Sequence, residues 1–249
     1  MKILKIRLDD LVVKKGIAKS KSLAQSLIIS GKIYLGEKKL DKPGHSISDD
    51  TNLIYRGPVH PWVSRGGIKL AHALNIFKLS VKGLIALDIG SSTGGFTDVL
   101  LQNGAEKVFA VDVGYGQLHE KLLDNPKVIS IERKNARYLK SNDIPQLIDI
   151  LVCDASFISL KKILSEPIKL CSKNAIIIAL IKPQFEVGKK YISKGGVVKD
   201  DDLRNQCCQD IRLWFENIMK CNVSSIIESP ITGPKGNVEY LIHASKNIT

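Results

Sequence analysis

The sequence predicts an α/β protein in which a small N-terminal α+β domain precedes a large domain built on a parallel, doubly wound sheet. From about residue 84 onward, short apolar segments alternate with helical stretches, which is the pattern of such a sheet. Residues 1–57 differ, with two short amphipathic helices followed by two short strands. We therefore expect domains at 1–57 and 65–249, joined by a linker at 58–64 that two prolines stiffen.

The composition is that of a globular protein with a strongly basic balance. Of the 249 residues, 44% are hydrophobic and 25% are charged, and 37 Lys and Arg against 25 Asp and Glu leave a net charge of +12. This excess favours a polyanionic partner, although a lysine-rich solvated surface would produce the same number. We expect a cytoplasmic protein with reduced thiols and no membrane segment, because the 5 cysteines form no C-x-x-C pair and no apolar run approaches ~20 residues.

The N-terminal block has the size of an RNA-docking module. A first helix is predicted at 7–16, ending at a glycine, and a second at 20–29, capped by Ser20 or Ser22. Short strands are predicted at 32–35 and 52–55, with turn residues Lys42-Pro-Gly44 between them.

Seven apolar segments of the large domain are predicted to be strands. The last two are separated by a short Gly/Pro-containing turn and should form an antiparallel hairpin at one edge of the sheet. In chain order the segments are 84–89, 107–113, 128–132, 148–153, 175–181, 224–229 and 239–244.

The stretch Ala86-Leu-Asp-Ile-Gly-Ser-Ser-Thr-Gly-Gly-Phe-Thr-Asp98 predicts a strand, a glycine-rich loop and a helix. Its spacing matches neither Gly-x-Gly-x-x-Gly nor a P-loop, so a pyrophosphate site is disfavoured. The next strand ends near Asp112, which is placed to accept hydrogen bonds from a ribose diol. Together these features resemble the S-adenosylmethionine site of a Rossmann-like class I methyltransferase, the other interpretation being a glycine loop in an ordinary α/β domain. The candidate residues for binding S-adenosyl-L-methionine are Asp88, Gly90, Ser91, Gly94, Gly95, Phe96, Asp112 and, near the adenine, Asn135.

Polar residues at the carboxyl ends of the strands are the candidates for chemistry. Asp154 and Lys182 each follow a predicted strand, Glu239 begins the last one, and Lys69 lies in the first turns of a helix after Ser64-Arg-Gly-Gly67. In this order, Lys69, Asp154, Lys182 and Glu239 match the catalytic tetrad of FtsJ-like RNA ribose 2′-O-methyltransferases. With Asp154-Ala-Ser-Phe157 and Lys182-Pro-Gln-Phe-Glu186, the chain resembles the hemolysin A or TlyA family of ribosomal RNA methyltransferases.

The N-terminal block resembles the RNA-binding domain first seen in a small-subunit ribosomal protein. The resemblance rests on Arg7-Leu-Asp9, Gly16 to Ser20, Ala24-Gln25 and Lys42-Pro-Gly44, and it departs at Leu35-Gly36, where the family commonly has Asn-Gly. It implies that the basic face of the two helices contacts RNA. The residues so implicated are Arg7, Lys19, Ser20, Lys21, Gln25 and Lys32, to which we add Arg65 before the glycine pair.

These resemblances imply an enzyme that methylates a ribose 2′-oxygen, on cytidine, in ribosomal RNA or a ribosomal subunit. Lys182 is the candidate base, Asp154 would orient its amine, and Glu239 would position Lys69 or the ribose; no metal is required. Two other interpretations are a non-catalytic RNA-binding ribosome assembly factor and a haemolysin, which would need a membrane-active segment that the sequence does not show. The segment 191–202 is predicted to be either a loop over the RNA or a surface loop without contacts.

Overall fold

The computed structural model describes residues 5–18, 20–56, 60–233 and 235–246. The chain divides into two compact units, Met1–Val59 and His60–Thr249. Lys19, one of the predicted RNA-binding residues, and residues 57–59 of the predicted linker region lie outside the described residues. The described end of that linker packs in the second unit, where the Val63 N–H donates to Asp98 Oδ2 at 2.8 Å.

In its described residues, the first unit packs two helices and five short strands around one apolar cluster. Ser20 caps the second helix, with its hydroxyl accepting from the Leu23 N–H at 3.3 Å. Leu8, Leu11, Ala24 and Ile28 supply the buried faces of the helices. The elements are β1 (Lys5–Arg7), α1 (Leu8–Lys14), α2 (Lys21–Ile29), β2 (Ile33–Leu35), β3 (Lys38–Leu40), β4 (Ser46–Ser48) and β5 (Ile54–Tyr55).

Three of these strands were absent from the sequence prediction. β1 pairs with β4, and β3 pairs with β2 on the side opposite to β5. Arg7 therefore ends a strand, whereas the sequence placed it in a helix. Strands of three residues are too short to show a periodic pattern, so only their pairing partners define them.

The second unit is a seven-stranded sheet in the order β11-β12-β10-β9-β6-β7-β8. The pairs from β10 to β8 are parallel, while β12 runs antiparallel to both β10 and β11. The predicted fold class and the antiparallel hairpin at one edge are confirmed. The strands are β6 (Ile85–Ile89), β7 (Lys107–Val111), β8 (Val128–Ile131), β9 (Ile148–Cys153), β10 (Cys171–Ile181), β11 (Cys221–Glu228) and β12 (Tyr240–Lys246).

Helices cover both faces of this sheet. Alternation along β10 divides its side chains between two apolar clusters, with Ile177 and Ala179 in one and Ile178 and Leu180 in the other. No helix among the described residues is both long and apolar enough to cross a membrane. The helices are α3 (Gly66–Ile76), α4 (Gly95–Gln102), α5 (Glu120–Leu123), α6 (Leu160–Ile163), α7 (Pro183–Glu186) and α8 (Asp201–Leu213), the last continuing as a π-helix at Trp214–Ile218.

Candidate active site

A cavity of about 580 Å³ lies beyond the carboxyl ends of β6, β9 and β10. The first turns of α3 and the residue before β12 close its sides. This is the edge at which doubly wound sheets bind ligands. The sequence-predicted residues that line the cavity are Lys69, Asp154, Lys182, Glu239, Gly90, Ser91, Gly95, Phe96 and Arg65.

The four predicted catalytic side chains form one continuous chain of charges. Lys69 Nζ donates to Glu239 Oε2 at 2.7 Å and to Asp154 Oδ2 at 3.3 Å. Lys182 Nζ lies 2.6 Å from Asp154 Oδ1 and forms an ion pair with it. The angle between the two groups does not suit a hydrogen bond. The Asp154 carboxylate thus lies between the two amines, with one oxygen toward each. Two cations and two carboxylates balance in a site where an unpaired charge would be costly.

Ser156 completes the surroundings of Lys182 and is not among the residues predicted from the sequence. Its hydroxyl lies 2.8 Å from Lys182 Nζ, which also donates to the Asp154 carbonyl at 3.3 Å. Lys182 is the residue before α7, and Pro183 occupies the first helical position, as prolines commonly do. The position of Ser156 two residues after Asp154 was the available signal, but whether its hydroxyl faces the lysine depends on the turn that follows β9.

Glycines allow the glycine-rich loop and α3 to approach each other closely. A Cβ on Gly95 would overlap with Ser64 Oγ and lie 2.8 Å from the Gly67 N atom, although the backbone of Gly95 is unstrained. A Cβ on Gly67 would lie 2.5 Å from the Trp62 ring. These contacts bring the starts of α3 and α4 together and place Lys69 against the cavity.

The structure places Asp88 behind the loop and outside the cavity lining, contrary to the expectation that it faces the cofactor. Its carboxylate is fully buried, and Oδ2 accepts from Thr97 Oγ1 at 2.7 Å. Burial raises the pKa of Asp88 to about 7, against the lowering effect of the Thr97 hydrogen bond. Asp88 therefore ties β6 to the first turn of α4.

Three other predicted cofactor residues also lie outside the cavity lining. Gly94, at φ +91°, is the residue before α4, and a Cβ there would overlap with Leu122 and Leu118. Asp112 accepts from the Ser92 and Gly114 N–H groups at 2.8 and 2.7 Å, so it shapes the loop that lines the cavity. Asn135 caps a short 3₁₀ helix by accepting from the Arg137 N–H at 3.1 Å.

An aromatic pair and a restrained loop form the other side of the cavity. The rings of Phe157 and Phe185 are 5.1 Å apart, and both line it. The alternative that segment 191–202 is a surface loop without contacts is wrong, since Ile192 and Gly196 line the cavity; a position over the RNA stays a prediction. The buried Asn237 side chain holds this loop by donating to the Gly196 carbonyl at 2.9 Å and accepting from the Val198 N–H at 3.1 Å.

In the first unit, three predicted RNA-binding side chains gather around Asp9, which is fully buried. Arg7 donates to both oxygens of Asp9 at 3.0 and 2.8 Å, Gln25 donates at 2.9 Å, and Lys21 lies 3.9 Å away while pairing with Asp10 at 2.7 Å. The Arg7 guanidinium holds the pKa of Asp9 well below its usual range. Asp9 thus orients cationic side chains whose exposed parts remain in solvent.

Two other predicted RNA-binding residues, Ser20 and Lys32, form hydrogen bonds that stabilise the backbone of the first unit. Ser20 is the cap of α2, and the Lys32 carbonyl accepts from the Arg56 N–H at 2.7 Å. In the second unit, the guanidinium of Arg65 donates to the Thr232 carbonyl, so one predicted RNA contact is tied to the loop before β12.

Comparison with known proteins gives matches over nearly the whole chain. Residues 62–246 match the FtsJ-like methyltransferase model and residues 6–51 match the S4 domain model. The chain is 42% identical over 237 residues to the 16S/23S rRNA (cytidine-2′-O)-methyltransferase TlyA of Mycobacterium tuberculosis, covering 95% of this chain and 88% of that protein. It is 40% identical over 244 residues to hemolysin A of Brachyspira hyodysenteriae, covering 96% and 99%.

The solved structure of a protein from Streptococcus thermophilus that is named as a hemolysin has the same fold. It shares 38% identity and a TM-score of 0.77, covering 99% of this chain and 90% of that one. The matched models, the relatives and the fold agree. This chain belongs to the FtsJ-like methyltransferase family, in the group whose members are named TlyA or hemolysin A, and it carries an S4 domain at its N-terminal end.

Proposed function

We propose that this protein transfers a methyl group from S-adenosyl-L-methionine to the ribose 2′-oxygen of cytidine in ribosomal RNA. The target is that named for the Mycobacterium tuberculosis relative. The observation that carries the proposal is the buried chain Glu239–Lys69–Asp154–Lys182 at the cavity. Buried lysines are uncommon, and two of them at the ligand-binding edge of the sheet indicate a chemical role for this site.

The cavity supports binding of S-adenosylmethionine between the glycine-rich loop and this chain of charges. Its volume of about 580 Å³ lies within the ~300–1,000 Å³ of small-molecule sites. Gly95 and Phe96 line it from the first turn of α4, where backbone N–H groups have no partner within the helix and suit a carboxylate. Asp112 lies outside the cavity lining but holds Ser92, which lines it, and each Asp112 oxygen accepts one backbone hydrogen bond and keeps acceptor capacity that suits a ribose diol.

Bound S-adenosylmethionine supplies a methyl group activated by its positively charged sulfur. A ribose hydroxyl is a weak nucleophile, so its proton must be taken up as it reacts. The Lys182 ammonium must first release a proton, and the neutral Nζ then takes the proton of the ribose hydroxyl, which restores the ion pair with Asp154. Ser156 Oγ and the Asp154 carbonyl fix the direction of this amine. Asp154 and Glu239 hold Lys69 beside it and balance the charge of the site.

The S4 domain is proposed to bind the RNA. Arg7, Lys21 and Gln25 are oriented by Asp9. Ser20 and Lys32 are proposed as further RNA contacts, and Lys19, which lies outside the described residues, is proposed from the sequence alone. Arg65, at the cavity, would contact RNA close to the target nucleotide. Cationic side chains bind phosphates independently of sequence, which suits selection of folded RNA.

The experiment is transfer of labelled methyl from S-adenosylmethionine to purified ribosomal subunits and to free ribosomal RNA, followed by mapping of the labelled nucleotide. Wild type is compared with Lys182→Ala and with the control Lys162→Ala, an exposed lysine on α6. Label on a cytidine ribose, lost in Lys182→Ala and kept in the control, is expected. Absence of label on every substrate, despite measurable RNA and cofactor binding, would favour the non-catalytic assembly factor.

A lytic activity has its support in the names of the Brachyspira and Streptococcus relatives. Release of haemoglobin from erythrocytes by purified protein tests it directly. Equal release by wild type and Lys182→Ala would establish an activity independent of methyl transfer, whereas no release by either would remove this interpretation.

A further inference from the structure

Two cations that line the cavity have no carboxylate partner among the described residues. The salt bridges of the cavity use both of its carboxylates for the two buried lysines, and Arg65 and Lys235 form none. Both residues are exposed and also line the cavity, so they lie at its mouth. The charged residues of the lining are Arg65, Lys69, Asp154, Lys182, Lys235 and Glu239. The mouth of the cavity therefore carries an excess of positive charge.

Both cations are tied to the segment that leads into β12. The Arg65 guanidinium donates to the Thr232 carbonyl, and Lys235 follows three residues later. The turn that carries Lys235 is closed by the Gly233 N–H, which donates to the Asn237 carbonyl at 2.9 Å. The backbone of this segment is therefore fixed at the site.

The Lys235 side chain lies across the loop that contains Gly196. A Cβ on Gly196 would be 3.4 Å from Lys235 Nζ and 3.5 Å from Lys235 Cδ, so the glycine leaves room for the lysine. The loop is closed by the Gly196 N–H, which donates to the Ser193 carbonyl at 2.8 Å. The Asn237 side chain joins this loop to the turn of Lys235 through the Gly196 carbonyl and the Val198 N–H. Loop and turn together hold the ammonium at the mouth of the cavity.

The cofactor of the proposed reaction does not balance this charge. S-adenosylmethionine carries a sulfonium and an ammonium against one carboxylate, so its binding adds positive charge to the site. RNA brings the missing anions, because every nucleotide carries a phosphodiester. The RNA strand continues on both sides of the target ribose, so its flanking phosphodiesters remain at the mouth when the 2′-oxygen enters the cavity.

We propose that Lys235 binds a phosphodiester next to the target ribose, beside the RNA contact proposed for Arg65. An ammonium binds a phosphate whatever the base, so Lys235 contributes to the affinity for RNA and to the position of the strand and does not select a sequence. This inference rests on the proposed function and adds to it a residue that holds the RNA backbone at the cavity.

The test uses the salt dependence of RNA binding. Loss of one contact between an ammonium and a phosphate should reduce the slope of log affinity against log salt concentration by about 0.7–0.9. Fluorescence titration with free ribosomal RNA between about 50 and 200 mM salt should therefore give a shallower slope for Lys235→Met than for wild type. The kcat/KM for methyl transfer should fall by on the order of tenfold at the lower salt concentration.

Two further variants make the result specific. Lys235→Arg keeps the positive charge and should keep the wild-type slope. Lys173→Met is the matched control, because Lys173 is exposed near the start of β10, at the opposite end of that strand from Lys182. It should leave both the slope and methyl transfer unchanged. Equal thermal unfolding of Lys235→Met and wild type shows that the variant is folded.

The possible outcomes separate this inference from the proposed function. A wild-type slope and a wild-type kcat/KM in Lys235→Met would overturn the inference and leave the proposed function standing. A weaker affinity for S-adenosylmethionine with an unchanged slope would also overturn it, because the ammonium would then bind the carboxylate of the cofactor. If wild type transfers no methyl group but the slope still falls in Lys235→Met, the proposed function fails and the contact with an RNA phosphate stands.

Discussion

The amine of Lys69 on α3 donates to Glu239 Oε2 at 2.7 Å, and the two side chains are 7% and 2% exposed. The residues lie 170 positions apart in the chain. Their pairing joins the start of α3 to the residue before β12. The site can therefore keep its charges paired only when these two distant parts of the second unit are folded together.

Glu239→Ala should destabilise the second unit by about 3–5 kcal/mol, because it leaves the Lys69 ammonium buried with only Asp154 as a partner. Urea unfolding measures this change. Glu228→Ala, at the exposed end of β11, is the control and should change little. In the double variant with Lys69→Met, part of the stability should return; a simple sum of the two losses would contradict the pairing.

The stability of the protein should fall as pH rises from about 4 to 7 because of Asp88. The folded state holds the Asp88 proton up to a pKa of about 7, whereas the unfolded chain releases it at an ordinary pKa of 3.8. In this interval the folded state binds more protons, so each pH unit costs at most about 1.4 kcal/mol and the loss ends above pH 7.

Urea unfolding of wild type and Asp88→Asn between pH 4.5 and 8 tests this prediction. The variant should lack this part of the pH dependence, while Asp124→Asn, at an exposed position, should retain it. Parallel profiles for wild type and Asp88→Asn would show that Asp88 is ionised throughout this range.

Gly95→Ala should impair methyl transfer and lower stability by about 1–3 kcal/mol, since the new Cβ would displace Ser64 and the start of α3. Thermal unfolding and single-turnover transfer measure the two effects. Gly188→Ala is the matched control, because its Cβ would meet Tyr191 at an ordinary 3.8 Å. Full activity of Gly95→Ala would mean that the close approach of α3 and α4 is not required.

Asp9→Asn should weaken RNA binding and destabilise the S4 domain at neutral pH. The folded-state pKa of Asp9 is depressed, so its contribution is complete above the ordinary value of 3.8 and is lost as pH falls below it. The stability difference from wild type should therefore shrink below about pH 4. Fluorescence titration with ribosomal RNA and thermal unfolding measure these effects, with Asp41→Asn at an exposed position as the control.

The sequence by itself determined the doubly wound sheet, the edge hairpin and the residue types at the strand ends. These features are local: the uninterrupted apolar run 175–181 predicts a buried strand, and Asp154 and Lys182 are recognised because each follows an apolar run. Their selection as a set came from the order of the four residues along the chain, which matched the tetrad of a known family.

Only the tertiary structure decided the directions of side chains and the partners that lie far apart in sequence. Asp88 and Asp112 both stand at strand ends, yet one is buried behind the loop and the other accepts from two backbone N–H groups. The contact of Ser156 with Lys182 could not be predicted, because it depends on β9 and β10 being neighbours and on how the turn after β9 aims the side chain. Periodicity reports which face of an element is buried, whereas hydrogen bonding and charge pairing depend on distances between elements that the chain order does not contain.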